Sequence, residues 1–184
     1  IGIDEAAFYG PKLDIQYKNV FGKEDTLVTI QIDMLLAQRF GMYYTDENGE
    51  KALPYIIHRT SLGCYERTLA YLIEEYAGAF PTWLAPTQVK LLPITDRTQD
   101  YARQVQAELE TYGIRCELDA RSEKIGKKIR DAQMEKVPYM LVLGDKEAEE
   151  NVVAVRSRKT GETETMPLAD FARKLCEEVR TKAR

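Results

Sequence analysis

The chain has one histidine, a residue type that can serve as a metal ligand or as a general base. His58 lies within residues 55–59 (YIIHR), whose apolar and β-branched composition predicts a strand. Because a metal site needs several ligands, a lone strand histidine is by itself more often a packed, hydrogen-bonded residue. Cys64, Cys116 and Cys176 are scattered and have no CxxC spacing, so neither a disulfide framework nor a cysteine-built zinc site is indicated.

Other residues that could carry chemistry have equally ordinary interpretations when each is taken alone. Arg67 falls one turn into a predicted helix, where a solvated surface charge is typical, and Tyr9 and Lys12 mark the start of a predicted strand. Asp14 and Asp33 lie near strands, but their spacing alone does not pair them for acid–base catalysis. Single residues therefore leave an enzyme and a binding module equally open.

A basic segment near the middle of the chain could contact nucleic acid. Residues 121–136 contain six basic and three acidic side chains. A solvated helix face is the ordinary interpretation of such a segment. The formal net charge of −4 argues against a protein that coats nucleic acid along its whole surface, so only a local RNA-binding surface remains open.

The elements that must position these residues fall into two groups. In the first group, alternating apolar residues at 8–36 predict an antiparallel hairpin, residues 55–59 a strand and residues 64–77 an amphipathic helix. In the second group, strands are predicted at 89–92, 114–118, 139–143 and 152–156, and helices at 98–112, 124–136 and 168–180. This alternation predicts a mixed or parallel sheet flanked by helices.

Two prolines in residues 80–86 interrupt regular structure between the two groups. We therefore predict a first domain at 1–80, a linker at 81–86 and a second domain at 87–184. The apolar runs are too short to cross a bilayer, which predicts a soluble, cytoplasmic protein with no membrane partner.

Eight strings in register resemble threonyl-tRNA synthetases, which are class II enzymes. They cover nearly all of the chain and are FYGPK (8–12), TIQID (29–33), HRTSLGCYER (58–67), TWLAP (82–86), RSEKIG (121–126), KIR (128–130), VPYMLV (137–142) and GDKE (144–147). The resemblance implies an α/β (α+β) chain. Its first part is the C-terminal segment of a class II antiparallel-sheet catalytic domain. Its second part is an α/β anticodon-binding domain with a mixed five-stranded sheet flanked by helices.

The resemblance implies an ATP-dependent threonine–tRNA ligase that forms threonyl-adenylate and transfers threonine to tRNA(Thr). Residues 58–67 match the third class II signature motif, in which Arg67 is the catalytic residue that holds ATP, with Thr29 and Gln31 on the facing strand. Magnesium accompanies ATP and shares the phosphate charge. Tyr9 and Lys12 match positions that line the pocket for L-threonine and its adenylate.

His58 matches the last zinc ligand of the family, whose zinc holds the amino and hydroxyl groups of threonine and so rejects valine. The other two family ligands match no residue of this chain. In the second domain, the resemblance assigns six residues to anticodon binding: Ser122, Lys124, Arg130, Lys136, Glu147 and Arg156.

A homodimer is implied for the complete enzyme. The first two class II motifs are absent from these residues, so we expect no activity from the chain alone. The alternative is a truncated, non-catalytic module that binds the tRNA anticodon. An unrelated α/β ligand-binding protein would require eight accidental matches.

Overall fold

The computed structural model describes Gly2 and residues 5–183, in two compact units, Ile1–Glu75 and Tyr76–Arg184. The first unit is built on a three-stranded antiparallel sheet of β1 (Lys12–Lys18), β2 (Glu24–Asp33) and β5 (Ile56–Arg59), in the order β1-β2-β5. A short helix α1 (Leu36–Arg39), a small hairpin of β3 (Tyr44–Thr45) and β4 (Lys51–Ala52), and helix α2 (Tyr65–Tyr76) complete the unit. The predicted hairpin, strand and helix are confirmed.

Alternation in β1 and in the second half of β2 gives the three-stranded sheet a largely polar and a largely apolar face, although the β1–β2 register shifts between Ile15 and Gln16. The turn between β1 and β2 contains Gly22 at φ +77°, a conformation that glycine adopts without a steric penalty. On the apolar face Leu13 is 61% exposed and Ile57 is 67% exposed. Among the described residues of this unit only Asp33 and Ala37 are buried. The predicted site residues of these strands, Lys12, Thr29, Gln31 and His58, share the opposite, polar face.

The second unit contains a mixed five-stranded sheet, as the family resemblance implies, with one strand more than the sequence pattern alone predicts. Its strands are β6 (Val89–Pro93), β7 (Cys116–Leu118), β8 (Tyr139–Leu143), β9 (Val152–Ser157) and β10 (Thr163–Pro167), in the order β10-β9-β8-β6-β7. Strands β6, β7 and β8 are parallel, whereas β9 and β10 pair antiparallel. The helices are α3 (Gln99–Thr111), α4 (Ile125–Met134), α5 (Asp145–Glu150) and α6 (Leu168–Thr181), with a 3-10 turn at Asp96–Thr98.

The two faces of this sheet are covered unequally. On one face, α3 and α6 bury the larger core, in which Leu109 and Phe171 pack on strand residues such as Leu91 and Leu141. On the other face, α4 covers a smaller cluster of buried residues, Leu92, Ala132 and Met140. Helix α4 therefore carries its polar side along a sheet face that is only partly covered.

The segment predicted to be a linker, 81–86, is bonded within the second unit, which begins at Tyr76. The Nε2 of Gln88 donates to the carbonyl oxygen of Thr82 at 2.9 Å. The Nη2 of Arg115 donates to the carbonyl oxygens of Trp83 and Ala85, at 3.0 and 2.8 Å. The prolines interrupt regular structure, as expected, but the side chains of Gln88 and Arg115, which directly precede β6 and β7, bind the carbonyls of this segment.

No helix among the described residues combines the length and the apolar character that are needed to cross a bilayer.

Candidate functional site

Three side chains of the first unit form a row across its sheet. Lys12 pairs with Gln31, and Gln31 pairs with His58, so the three residues are direct neighbours on the polar face. The hydroxyl of Tyr9 donates to Oε1 of Gln31, and the Tyr9 ring lies 5.7 Å from that of His58. The structure thus brings together the four predicted pocket residues of β1, β2, β5 and the segment before β1.

Asp14 connects two further residues of this face. Its Oδ2 lies 2.8 Å from Nζ of Lys12, and its Oδ1 accepts a 2.8 Å hydrogen bond from Oγ1 of Thr29. The hydrogen bond to Asp14 raises the pKa of Lys12, and the same bond, with that from Thr29, lowers the pKa of Asp14. Lys12 is therefore a fixed positive charge at neutral pH.

Asp33 is fully buried, and its carboxylate is hydrogen-bonded to the ring of His58. Its Oδ2 lies 3.0 Å from Nε2 of His58, and its Oδ1 accepts hydrogen bonds of 2.9 Å from the N–H groups of Leu35 and Leu36. Burial acts to raise the pKa of Asp33, but the hydrogen bonds from Leu36, His58 and Leu35 together lower it. An ionised carboxylate only accepts hydrogen bonds, so Nε2 of His58 carries the proton and Nδ1 is left with a free lone pair.

Arg67 lies apart from this group. It is exposed on α2, and its Nη1 donates to the carbonyl oxygen of Thr26 on β2 at 3.4 Å. With no other hydrogen-bond partner among the described residues, its guanidinium keeps most of its donors available for a ligand, although no contact joins it to the Tyr9 hydroxyl or to the His58 ring.

The described residues do not form a metal site by themselves. Nowhere among them do three or more His, Cys, Asp or Glu side chains lie together in a way that could hold a metal ion. Cys64 is exposed, and its Sγ donates to Oε2 of Glu66 at 2.8 Å. His58 contributes one imidazole nitrogen suited to zinc, and any further ligands would have to come from elsewhere.

In the second unit, a cleft of about 420 Å³ opens at the carboxyl ends of β6 and β7. It is lined by residues 94–96 on one side and by residues 121–124 and Lys128 on the other. Two predicted anticodon residues, Ser122 and Lys124, are therefore brought together at its rim. Parallel α/β sheets characteristically bind ligands at this edge.

The loop that carries these two residues is held by a buried carboxylate. Nε and Nη2 of Arg121 donate to the two carboxylate oxygens of Asp119, at 2.8 and 2.6 Å, and Nη2 also donates to Asp131 at 2.9 Å. The hydrogen bonds from Arg121 are the main reason that the pKa of Asp119 lies below its usual range. The guanidinium of Arg121 is therefore bonded to Asp119 and Asp131 and stabilises this loop.

Of three other predicted residues, Arg130 and Arg156 lie on the α4 side of the sheet, and Glu147 lies in α5 after β8. Arg130 is exposed on α4. Arg156 pairs with Met140, whose side chain packs under α4, so Arg156 points to the same face, and its buried Nε has no hydrogen-bond partner among the described residues. Glu147 accepts a 2.9 Å hydrogen bond from the N–H of Gly144 and so begins α5.

Lys136 precedes β8 and so lies near the amino ends of the parallel strands, at the end of the sheet opposite to the cleft. It adopts φ 58° between α4 and β8, its Nζ donates to the carbonyl oxygen of Ala77, and its own carbonyl accepts from Arg158. The structure therefore does not bring Lys136 to the cleft with Ser122. Its ammonium group is used to hold the segment after α2.

The sequence pattern predicts no partners for Asp14 or Asp33, and it does not distinguish Lys128 from the other basic residues of 121–136. The available signal was alternation, because residues 29, 31 and 33 of one strand must share a face. The partners themselves lie 15 and 25 residues away and depend on strand register.

Two family models match the chain, one in each unit. Residues 2–76 match "tRNA synthetase class II core domain (G, H, P, S and T)", and residues 88–178 match "Anticodon binding domain". A solved structure described as the RNA binding domain of threonyl-tRNA synthetase from Cryptosporidium parvum Iowa II matches with a TM-score of 0.83 and 37% identity. That match covers 94% of this chain and 44% of the other.

Curated relatives match over nearly the whole chain. The threonine–tRNA ligase of Clostridium perfringens (strain SM101) is 65% identical over 176 residues, and that of Clostridium botulinum (strain Eklund 17B) is 61% identical over 181 residues. The matches cover 96% and 98% of this chain. The chain spans only 27% and 28% of the length of these two relatives.

The fold and the paired matches define part of a class II aminoacyl-tRNA synthetase, with a segment of the core domain followed by an anticodon-binding domain. Identity above 60% to threonine–tRNA ligases extends through both units: the chain belongs to the threonyl-tRNA synthetase family.

Proposed function

We propose that the chain acts within an ATP-dependent threonine–tRNA ligase, which activates threonine as threonyl-adenylate and transfers it to tRNA(Thr). The observation that carries this proposal is the 65% identity to a threonine–tRNA ligase across both the core segment and the anticodon-binding unit. A protein that only bound tRNA would not need the polar row on the core sheet.

The first unit supplies side chains suited to adenylate formation. In this proposal the free donors of Arg67 bind phosphate oxygens of ATP, and Thr29 and Gln31 present polar groups from the adjacent strand. Lys12, kept positive by Asp14, neutralises charge on the adenylate. The chemistry is mainly positioning and charge stabilisation, and Mg²⁺ bound with ATP would share the phosphate charge.

Selection of threonine would use Tyr9 and His58. Nδ1 of His58 is the nitrogen left free by Asp33, and it is the chain's contribution to a zinc site whose other ligands lie outside the described residues. Zinc, when bound, would hold the hydroxyl and amino groups of the substrate. A site built to bind a hydroxyl rejects valine far better than an apolar pocket can.

Anticodon binding would use the α4 face of the second unit. Charged and polar groups for splayed bases and for phosphates would come from Ser122 and Lys124 at the cleft, from Arg130 on α4 and Arg156 on β9, and from Glu147 in α5. Lys136, engaged with Ala77, would reach RNA only at the far edge of this surface. We further propose a cytoplasmic homodimer for the complete enzyme.

The second candidate function is a non-catalytic module that binds the anticodon. It is favoured by the difference in burial between the two units, since the second has a substantial core and the first exposes much of its apolar sheet face. In this case only the second unit would act independently.

An ATP–pyrophosphate exchange assay with threonine, on the chain and on a full-length relative that contains it, separates the two proposals. Exchange by the isolated chain would exclude the module. Binding of the chain to tRNA with a threonine anticodon, compared with the same tRNA carrying changed anticodon bases at one salt concentration, tests the anticodon role. Equal binding to both RNAs would reject that role.

A further inference from the structure

A buried lysine joins the two strand ends that form the cleft of the second unit. Lys128 lies on α4, and only 3% of its surface is exposed. Its Nζ donates to the carbonyl oxygens of Pro93 and Asp119, at 3.0 Å each. Pro93 ends β6 and Asp119 directly follows β7, so one ammonium group fixes the ends of two neighbouring parallel strands.

Lys128 forms no ion pair with another described residue, and its charge acts only at longer range on the Asp119 carboxylate, whose pKa it helps to lower. Its two acceptors are neutral carbonyls, and the carboxylate of Asp119 is engaged by Arg121. None of the ion pairs between described residues includes Lys128. Burying a cation without an ion-pair partner is costly, and an apolar residue of similar volume is often at least as stabilising. Packing alone therefore does not account for a lysine at this position.

The position of Lys128 in the fold indicates a ligand site. The chain passes from β6 to β7 through α3 on one face of the sheet, and from β7 to β8 through α4 on the other. The connections that leave the neighbouring strands β6 and β7 therefore run to opposite faces of the sheet. A crevice opens between the carboxyl ends of these two strands. Ligands of α/β sheets bind outside such switch points, and here the cleft includes Lys128 in its lining.

We propose that Lys128 is a positioning residue for anticodon recognition. It ties the turn after β6 to the loop after β7, and this loop presents Ser122 and Lys124 to the cleft. Its charge also adds positive potential to a cleft that receives one nucleotide of an RNA loop, whose phosphate and base-edge oxygens are acceptors. This inference rests on the proposed anticodon function of the second unit.

The test compares Lys128→Met with Lys127→Met in the whole chain. Both variants remove one positive charge from α4, but Lys127 is exposed and pairs with Glu123 instead of joining the strand ends. Binding is measured to an anticodon stem-loop RNA with a threonine anticodon and to one with changed bases. We expect Lys128→Met to weaken binding of the first RNA roughly tenfold and to remove most of the discrimination between the two. Lys127→Met should retain that discrimination.

Two outcomes separate this inference from the proposed function. If the unaltered chain does not discriminate between the RNAs, the anticodon function itself fails. If the unaltered chain discriminates and folded Lys128→Met keeps the same ratio, the positioning role is wrong and Lys128 is structural only.

A second measurement on the unaltered chain does not depend on the folding of a variant. Nitrogen-15 NMR of lysine ammonium groups should show the Lys128 signal shifting when the threonine stem-loop is added, and shifting less with the changed RNA. An identical response to both RNAs would overturn the inference.

Discussion

Oδ2 of Asp33 lies 3.0 Å from Nε2 of His58, and Asp33 is completely buried. Its other oxygen accepts the N–H groups of Leu35 and Leu36, so the carboxylate begins α1 and orients the imidazole at the same time. The strand therefore presents Nδ1, and not Nε2, as the nitrogen available to a ligand. This orientation explains how a lone histidine on a strand can be prepared for a function.

The first prediction concerns the tautomer of His58. Replacing Asp33 by Asn keeps an oxygen for Leu35 and Leu36 but turns an amide donor toward the ring, so the imidazole proton should move from Nε2 to Nδ1. Long-range proton–nitrogen NMR at mildly alkaline pH measures the tautomer directly. Asp14→Asn is the matched control, because Asp14 bonds to Lys12 and Thr29. A proton retained on Nε2 in Asp33→Asn would contradict the prediction.

The second prediction assigns Arg67 to ATP. In a full-length synthetase carrying this chain, Arg67→Ala should lower threonine-dependent ATP–pyrophosphate exchange by about a hundredfold or more, because a guanidinium that holds the phosphates is lost. The affinity for tRNA should change little. Arg39→Ala removes the same charge from the end of α1 and should leave exchange unchanged. Normal exchange in Arg67→Ala would remove this residue from the ATP site.

The third prediction separates RNA binding from activation. The double variant Lys124→Ala and Arg130→Ala should weaken tRNA binding. The slope of the logarithm of the binding constant against the logarithm of the salt concentration should become less negative by roughly one for each lost phosphate contact. Exchange should stay intact. The control pair is Arg103→Ala with Lys174→Ala, exposed on α3 and α6, which pack against the other face of the sheet. Unchanged charging at limiting tRNA in the first pair would refute the assignment.

Hydrophobic periodicity predicted most of the elements, and the missed ones lack that signal. Helix α5 has the sequence DKEAEE, and none of its residues is buried, so no apolar stripe identifies it. Strand β10 (TETMP) is an edge strand of largely exposed residues, and only Met166 is partly buried. Helix α5 begins with a local hydrogen bond from Gly144 to Glu147, which hydrophobic periodicity does not detect, whereas β10 forms by pairing with β9, and this information is not local.

The candidate site shows the same division between local and long-range information. Residue types and the family resemblance predicted Lys136 as an RNA-binding residue, but its ammonium group bonds to Ala77, 59 positions away in the chain. Lys128, eight residues earlier in the same basic segment, bonds to carbonyls that are brought together only by strand order. Composition located the basic segment, but the fold determines that Lys128 lines the cleft and that Lys136 does not.

The fourth prediction concerns acid sensitivity of the second unit. The pKa of Asp119 is lowered in the folded state, chiefly by its hydrogen bonds to Arg121, so its contribution to stability is present above its unfolded pKa. That contribution should be lost as pH falls below about 4 and through the folded pKa. The gap in unfolding free energy between the unaltered chain and Asp119→Asn should therefore be largest at neutral pH and shrink in acid. Urea titrations across this range measure it.

Asp170→Asn is the control for this pH dependence. Asp170 is exposed on α6 and pairs only with nearby Arg173, so its replacement should change stability little at any pH. A gap for Asp119→Asn that stays constant from neutral to acidic pH would show that the variant acts through packing and not through charge. A shrinking gap identifies the Asp119 carboxylate, held by Arg121, as the group whose ionisation keeps the loop of Ser122 and Lys124 in place.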